Sequence, residues 1–126
     1  MIVRNAFVYT ADQVFEKREI YIREGKFAER AEREEGEEVL DAEGCFAIPG
    51  LLDIHFHGAM GYDICDASWE AYKRISEYEA ANGITAICPA TMTLPVPELE
   101  NVLKLGAEFS KSGQRGADLV GFNMEG

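Results

Sequence analysis

Ile48-Pro49-Gly50-Leu51-Leu52-Asp53-Ile54-His55-Phe56-His57-Gly58 is the stretch that decides the fold. It holds both histidines of the chain, two residues apart, with an aspartate two residues before them. Alternation along a strand sends Asp53, His55 and His57 to one face. Leu52, Ile54 and Phe56 go to the other, where a covering helix can bury them. Two imidazole lone pairs converging from one face suit a metal ion. They fall towards the carboxyl end of an apolar run, Leu51 to His57, where active sites of parallel α/β folds gather. Two strand histidines satisfied by core hydrogen bonds are the plainer alternative, and a same-face pair at a strand end weighs against it. Asp53 either orients a histidine from behind or makes a structural hydrogen bond, and spacing leaves both open.

Downstream of Gly50 the pattern is strand, helix, strand, helix, strand. Ser68 to Asn82 carries Trp69, Tyr72, Ile75 and Tyr78 at helical spacing, with Ser68 as N-cap and Gly83 past the end. Ile84 to Ala90 is the next strand. Pro97 to Ser110 is the second helix, with apolar Leu99, Val102, Leu103 and Phe109, proline in its first turn and Gly113 beyond it. Asp118 to Glu125 is the third strand. Strand starts at Leu51, Ile84 and Leu119 are 33 and 35 residues apart, the rhythm of consecutive βα units. Nearly continuous apolar strands fit a parallel sheet covered by helices. A doubly wound sheet and a (β/α)₈ barrel share this rhythm. A whole barrel takes about 250 residues, so roughly three of its strands fit here.

In the third strand Leu119, Gly121, Asn123 and Glu125 share one face, and Val120, Phe122 and Met124 the other. If the strands run parallel in one sheet, their rims coincide and Glu125 joins His55 and His57. A carboxylate with two imidazoles suits zinc, iron or manganese. Taken alone, Glu125 reads as a solvated or capping residue. Thr91 and Thr93 follow the second strand, where they would line the same rim. Gly58-Ala59-Met60-Gly61-Tyr62-Asp63 lacks the nucleotide-binding glycine patterns and reads as a loop after a strand. Cys88 has no base near it in sequence and reads as packing.

Upstream of Pro49 lie short β-type runs: Met1 to Thr10, Glu19 to Arg23, Lys26 to Ala28, Val39-Leu40 and Cys45 to Ile48. Glu24-Gly25 joins the second and third as a hairpin, because glycine accepts a positive φ. Together they suggest a small antiparallel sheet or part of a sandwich, too thin to carry much core. The expected organisation is a partial β-sandwich over residues 1–49 and a βαβαβ portion over 50–126.

Acidic residues outnumber basic ones 23 to 12, for a formal charge of −11 in 126 residues. Such a charge repels nucleic acid and anionic lipid, so neither is expected as a partner. The run Glu29 to Glu38 reads as a solvated face. No stretch approaches the ~18 consecutive apolar residues of a membrane helix, and the first residues lack a signal-peptide layout. Cys45, Cys65 and Cys88 form no CxxC and cannot all pair, which points to a reducing cytoplasm.

The residues from Ile48 to Gly58 resemble the PG-[FL]-[IVL]-D-x-H-x-H signature of the amidohydrolase superfamily, which forms the first strand of a (β/α)₈ barrel after a small β-sandwich. Three further stretches resemble the N-acetylglucosamine-6-phosphate deacetylase family. His57 to Asp63 is similar to its H-G-x-x-G-x-D loop, where dihydroorotases usually continue differently. Gly83 to Thr93 is similar to its G-[VIC]-T-x-x-x-P-T-x-x-[ST] stretch. Gly121 to Gly126 is similar to its G-x-[HN]-x-E-G-P element, so the resemblance runs from Met1 to Gly126 with the motifs in order.

The resemblance implies an α/β fold, the amino-terminal part of a metal-dependent barrel hydrolase. It implies hydrolysis of the acetamide of N-acetylglucosamine 6-phosphate to acetate and glucosamine 6-phosphate. A divalent metal, one ion or two, would polarise the amide carbonyl and activate a water, and a carboxylate would shuttle protons. Glu125 matches the metal-ligand glutamate, and His55 and His57 match members that hold a second metal. Asp53 and Thr91 fall behind the ligands or in the pocket. The partner implied is a small amino-sugar phosphate, and family members are often homodimers. The alternatives are another amidohydrolase acting on a cyclic amide or aminated base, and a non-catalytic metal-binding module.

The family's two later histidines, catalytic aspartate and sugar-phosphate contacts would lie beyond Gly126, so no catalytic residue is assigned within the chain. The 126 residues are therefore expected to be an amino-terminal fragment that alone folds poorly or associates and turns over nothing. A sharp, cooperative thermal transition in a monomer, or acetate release by the chain itself, would overturn that expectation.

Overall fold

Alternating apolar residues such as Ile2, Ala6 and Tyr21 give the first part of the chain its thin core. The computed structural model describes residues 1–29 and 36–125 and divides the chain into two compact units, Met1–Pro49 and Gly50–Gly126. The first unit contains β1 (Ile2–Tyr9), β2 (Phe15–Arg23), β3 (Lys26–Ala28), β4 (Val39–Asp41) and β5 (Phe46–Ala47). Their order is β3-β2-β1-β4, with β5 also on β1. β1, β2 and β3 pair antiparallel, but β4 and β5 both run parallel to β1. The sheet is thus mixed, not antiparallel as expected, because direction depends on distant partners that short runs do not reveal.

The hairpin between β2 and β3 turns at Glu24 and Gly25, with φ of 50° and 73°. β2 begins at Phe15, earlier than expected, because its charged residues hide the apolar pattern while finding surface partners. Lys17 lies 3.2 Å from Glu43 and Arg18 2.5 Å from Glu16. A bulge between Val3 and Ala6 puts Asn5 at φ 66°, from where its side-chain amide donates to Asp41 Oδ1 at 2.8 Å. That bond, helped by the Glu43 amide and by Arg4, holds the Asp41 carboxyl below its usual range.

Part of the acidic run Glu29 to Glu38, residues 30–35, lies outside the described residues, as does Gly126. Glu37 departs from the expected solvated face. Its side chain is only 6% exposed and pairs with Arg23 and with the terminal amine of Met1.

The second unit contains β6 (Leu51–Asp53), β7 (Gly58–Ala59), β8 (Tyr62–Asp63), a 3₁₀ turn at Ile64–Asp66, α1 (Trp69–Ala81), β9 (Ile84–Ile87), β10 (Ala90–Thr91), α2 (Val96–Phe109), β11 (Asp118–Leu119) and β12 (Asn123–Met124). β6, β9 and β11 form a parallel sheet with β9 in the middle, and β10 pairs parallel with β12. The strands expected over Leu51 to His57, Ile84 to Ala90 and Asp118 to Glu125 are therefore shorter or split. Pro89 has no N–H to donate, which interrupts the ladder there. Main-chain bonds nevertheless carry the pairing onward, from Cys88 N to Asp53 O at 2.8 Å and from Ala90 N to Phe56 O at 2.7 Å. Asn123 N reaches Pro89 O at 2.9 Å.

Gly58 to Asp63, expected as a loop, is a hairpin of β7 and β8. Met60 and Gly61 take φ of 56° and 81°, as a type I′ turn requires at both central positions. Asp63 then caps the 3₁₀ turn through Cys65 N, and Asp66 reaches back to Asp63 N.

Ser68 caps α1 by accepting from Ala71 N at 3.1 Å, and Gly83 follows its end. The buried stripe of α1 is Ala71, Tyr72, Ile75, Ser76 and Glu79, so Trp69 and Tyr78 turn out to be exposed. α2 buries Leu99, Val102, Gly106 and Phe109. The core joins Ile64, Tyr72, Ile75, Ile87, Phe109, Ala117 and Leu119. Each of its large apolar side chains contributes about 1.5–3 kcal/mol on burial.

Two expectations about strand faces fail. Leu52 and Ile54 are exposed, and of that face only Phe56 packs against the core. They lie on and just past β6, an edge strand, while α1 packs on the central β9. Leu119 and Phe122, expected on opposite faces, both pack on the core, because the break after β11 resets the alternation. Among the described residues no helix is long and apolar enough to cross a membrane.

Glu79 is 8% exposed, and burial, then the charge of Asp53, pushes its carboxyl above the usual range. Its folded state therefore binds the proton more tightly than the unfolded chain does. That penalty on stability grows as pH rises through the unfolded carboxylate value and persists above the folded one. Glu79→Gln should raise the thermal midpoint at about pH 7 and give no such gain near pH 3, below the unfolded value of roughly 4.3. Equal effects at the two pH values in a melting series would contradict this.

Candidate metal centre

His55 and His57 lie just past the end of β6, and Glu125 just past β12. The parallel pairing of Ala90 with Asn123 and Thr91 with Met124, with the bond from Ala90 N to Phe56 O, brings the second of these ends level with the first. His55 Nε2 is 3.2 Å from Glu125 Oε1, and His57 Nε2 is 3.7 Å from the same oxygen. The two rings stand edge to face with centroids 5.6 Å apart. One ligand-type atom from each of the three residues lies within 4.8 Å of the others. The side chains are 55%, 36% and 37% exposed in the order His55, His57 and Glu125, so the cluster is open to an ion from solvent. Two neutral imidazoles and a carboxylate fit a borderline divalent ion such as zinc, iron or manganese, and the donor set does not choose among them.

The supporting contacts differ for each ligand. His57 Nδ1 lies 3.1 Å from Ala90 O, a pure acceptor, so the ring proton sits on Nδ1 and the Nε2 lone pair is free. His55 Nδ1 is instead 2.9 Å from the side-chain amide nitrogen of Asn123. Thr93 Oγ1 donates to Glu125 O at 2.7 Å and so fixes the main chain of the carboxylate residue.

Of the remaining sequence candidates, Asp53 accepts from its own chain, His55 N to Asp53 Oδ1 at 3.0 Å. It shapes the main chain between strand and ligands and does not bond an imidazole. Thr91 is fully buried, and its hydroxyl has no hydrogen-bond partner among the described residues. The sequence reading gave Asn123 no part. Two signals could have found it, its place on the Glu125 face two residues earlier and its [HN] position in the G-x-[HN]-x-E-G-P element.

Fold and side chains together define a mixed α/β protein in which three side chains able to hold a metal ion gather at the carboxyl ends of parallel strands. The chain resembles the N-acetylglucosamine-6-phosphate deacetylases over its whole length. It is 37% identical over 79 residues to the N-acetylglucosamine-6-phosphate deacetylase of Vibrio furnissii, covering 63% of this chain and 20% of that protein. The enzyme of the same name from Lysinibacillus sphaericus is 29% identical over 129 residues, covering 100% of this chain and 33% of that one. A dihydroorotase from Bacillus pumilus is 31% identical over 109 residues, covering 82% of this chain and 24% of that protein.

Among solved structures, N-acetylglucosamine-6-phosphate deacetylase from Pasteurella multocida superposes with a TM-score of 0.83 at 22% identity, covering 99% of this chain and 34% of that one. The enzyme from Mycobacterium smegmatis gives 0.77 at 20% identity, covering 100% and 35%. These two likenesses are of fold. No family model matches the chain. The chain spans about a fifth to a third of the length of the relatives it matches.

Thr93→Val removes the bond to Glu125 O and should loosen the carboxylate. A hydrogen bond worth about 1 kcal/mol corresponds to roughly fivefold weaker zinc binding. Chelator competition on the two proteins would measure it, and unchanged affinity would remove Thr93 from the centre.

Proposed function

We propose that the protein is the amino-terminal part of a metal-dependent amidohydrolase whose parent hydrolyses the acetamide of N-acetylglucosamine 6-phosphate. The products would be acetate and glucosamine 6-phosphate. The observation that carries this reading is the convergence of His55, His57 and Glu125 from two parallel strand ends. The whole-length similarity to the deacetylases supports the substrate. In this reading the second unit is the first βαβαβ portion of a (β/α)₈ barrel, and the first is part of a small β-sandwich. A cytoplasmic location fits the free thiols of Cys45, Cys65 and Cys88. A homodimer is the assembly expected by analogy.

His57 and Glu125 are the side chains best prepared to hold an ion, with His55 joining them. When bound there, a divalent ion supplies Lewis-acid polarisation of the amide carbonyl. The chain's own part is to keep lone pairs aimed at one point. Ala90 O does this by accepting a hydrogen bond from His57 Nδ1–H, and Thr93 does it by anchoring the Glu125 main chain. Asp53, through the His55 amide, sets the strand end from which both imidazoles project.

Another amidohydrolase, acting on a cyclic amide, is a second reading, favoured by the similarity to the dihydroorotase. Acetate release from N-acetylglucosamine 6-phosphate, with zinc or manganese added to the parent protein, separates the two. Activity is expected there, and Glu125→Gln should lower it at least about 100-fold, more than the 10–100-fold typical of groups behind the ligands. A folded, metal-loaded parent that releases no acetate but opens cyclic amides would transfer the assignment to the second reading.

A further inference from the structure

The two histidines of the centre have opposite hydrogen-bond surroundings, and the difference lies in Asn123. Its side-chain nitrogen is 2.9 Å from His55 Nδ1 and 3.3 Å from Ile54 O. A carbonyl oxygen only accepts, so the Asn123 atom facing Ile54 O must be the nitrogen; an oxygen there would set lone pairs against lone pairs. The amide nitrogen has two hydrogens, one for Ile54 O and one for His55 Nδ1. His55 Nδ1 therefore accepts, and the proton of the neutral ring sits on Nε2. At 3.2 Å from Glu125 Oε1 that proton has an acceptor, which completes a consistent chain from Asn123 through His55 to Glu125. His57 is the reverse: Nδ1 donates to Ala90 O, and Nε2 is 3.7 Å from Glu125, too far for a hydrogen bond.

We propose that Asn123 is a positioning residue that holds His55 with its ring proton on Nε2, so that an incoming divalent ion is met first by His57 and Glu125. His55 joins only when Asn123 turns its amide. On joining, Nε2 gives its proton to water, and Nδ1 takes one from water and donates it to the turned amide oxygen of Asn123. The ring stays neutral, and the cost is the bond to Ile54 O together with the repulsion between that carbonyl and the turned amide oxygen. This rests on the metal-centre reading above for its ligation order, while the tautomer itself belongs to the metal-free protein.

The test uses long-range proton–nitrogen NMR spectra of the histidine-labelled parent protein. They are recorded in alkaline buffer. Without metal, His55 should show the Nε2–H form and His57 the Nδ1–H form. Asn123→Ala should add a share of the Nδ1–H form to His55, limited by the pull of Glu125 on Nε2–H, while leaving His57 unchanged. Asn123→Asp, an acceptor in either orientation, should convert His55 to Nδ1–H and bind zinc at least about tenfold more tightly, in the range set by groups behind metal ligands. His55 already in the Nδ1–H form in the unaltered protein would overturn the proposal. So would a pure Nε2–H spectrum in Asn123→Ala. Failure of zinc to bind any of the three proteins would sink the metal-centre reading and the ligation order with it, and the metal-free spectra would still decide what Asn123 does.

Discussion

Parallel main-chain pairing from Asp53 through Pro89 to Asn123 is the constraint on which the centre depends. Three bonds carry it: Cys88 N to Asp53 O, Ala90 N to Phe56 O and Asn123 N to Pro89 O. Side chains alternate with a period of two, so a slip of one residue would turn His55 and His57, or Glu125, to the opposite face. Parallel neighbours need a crossover, and α1 and α2 provide it. The helices are themselves tied at defined points. Tyr72 donates to Val102 O at 2.8 Å between α1 and α2. Ser76 exchanges two bonds with Ala117, Oγ to Ala117 O at 2.8 Å and Ala117 N to Ser76 O at 3.0 Å, just before β11 begins. Burial pushes the Tyr72 phenol well above its ordinary value, so it remains a donor at any pH the fold would meet. The position of Glu125 is thus set by a chain of contacts that begins on α1.

Local signals were legible in the sequence and non-local ones were not. Ser68 and Gly83 bracket α1 through chemistry within a few residues, and the ends of that helix fall where those signals place them. The spacing of His55 and His57, with Glu125 at the end of the last strand, needed only the strand period and a parallel sheet. The buried stripe of α1 was read one step off. Apolar type favours Trp69 and Tyr78, whereas Ser76 is buried because it bonds Ala117 and Glu79 because it lies on the same stripe. The direction of β4 and β5 is a long-range choice that two- and three-residue runs cannot encode. Pro89 was visible as a missing donor, yet its effect on the ladder depends on which strand lies beside it.

Roles around the centre were hidden for a similar reason. Asn123 and Thr93 look like ordinary strand-end polar residues until their partners, His55 and Glu125, are placed 68 and 32 positions away. Asp53 stood between two readings because its neighbour in sequence, not a distant ring, turns out to be what it bonds. Hydrogen bonds behind metal ligands set ring orientation and tautomer. Their identity therefore depends on fold more than does that of the ligands themselves.

The exposed face of β6 bears on how the second unit is understood. Parallel strands are ordinarily buried on both faces, and their apolar runs reflect it. Leu51, Leu52 and Ile54 form such a run, yet all three are exposed here. Leu52 and Ile54 share one face by alternation, and large apolar side chains exposed side by side suit a surface on which something else packs. Relatives with this fold are about three times as long as the chain. If the proposed barrel reading holds, that surface and the half-open centre have one cause. A further strand and helix beside β6 would cover Leu52 and Ile54, and the strand ends opposite would close around His55, His57 and Glu125.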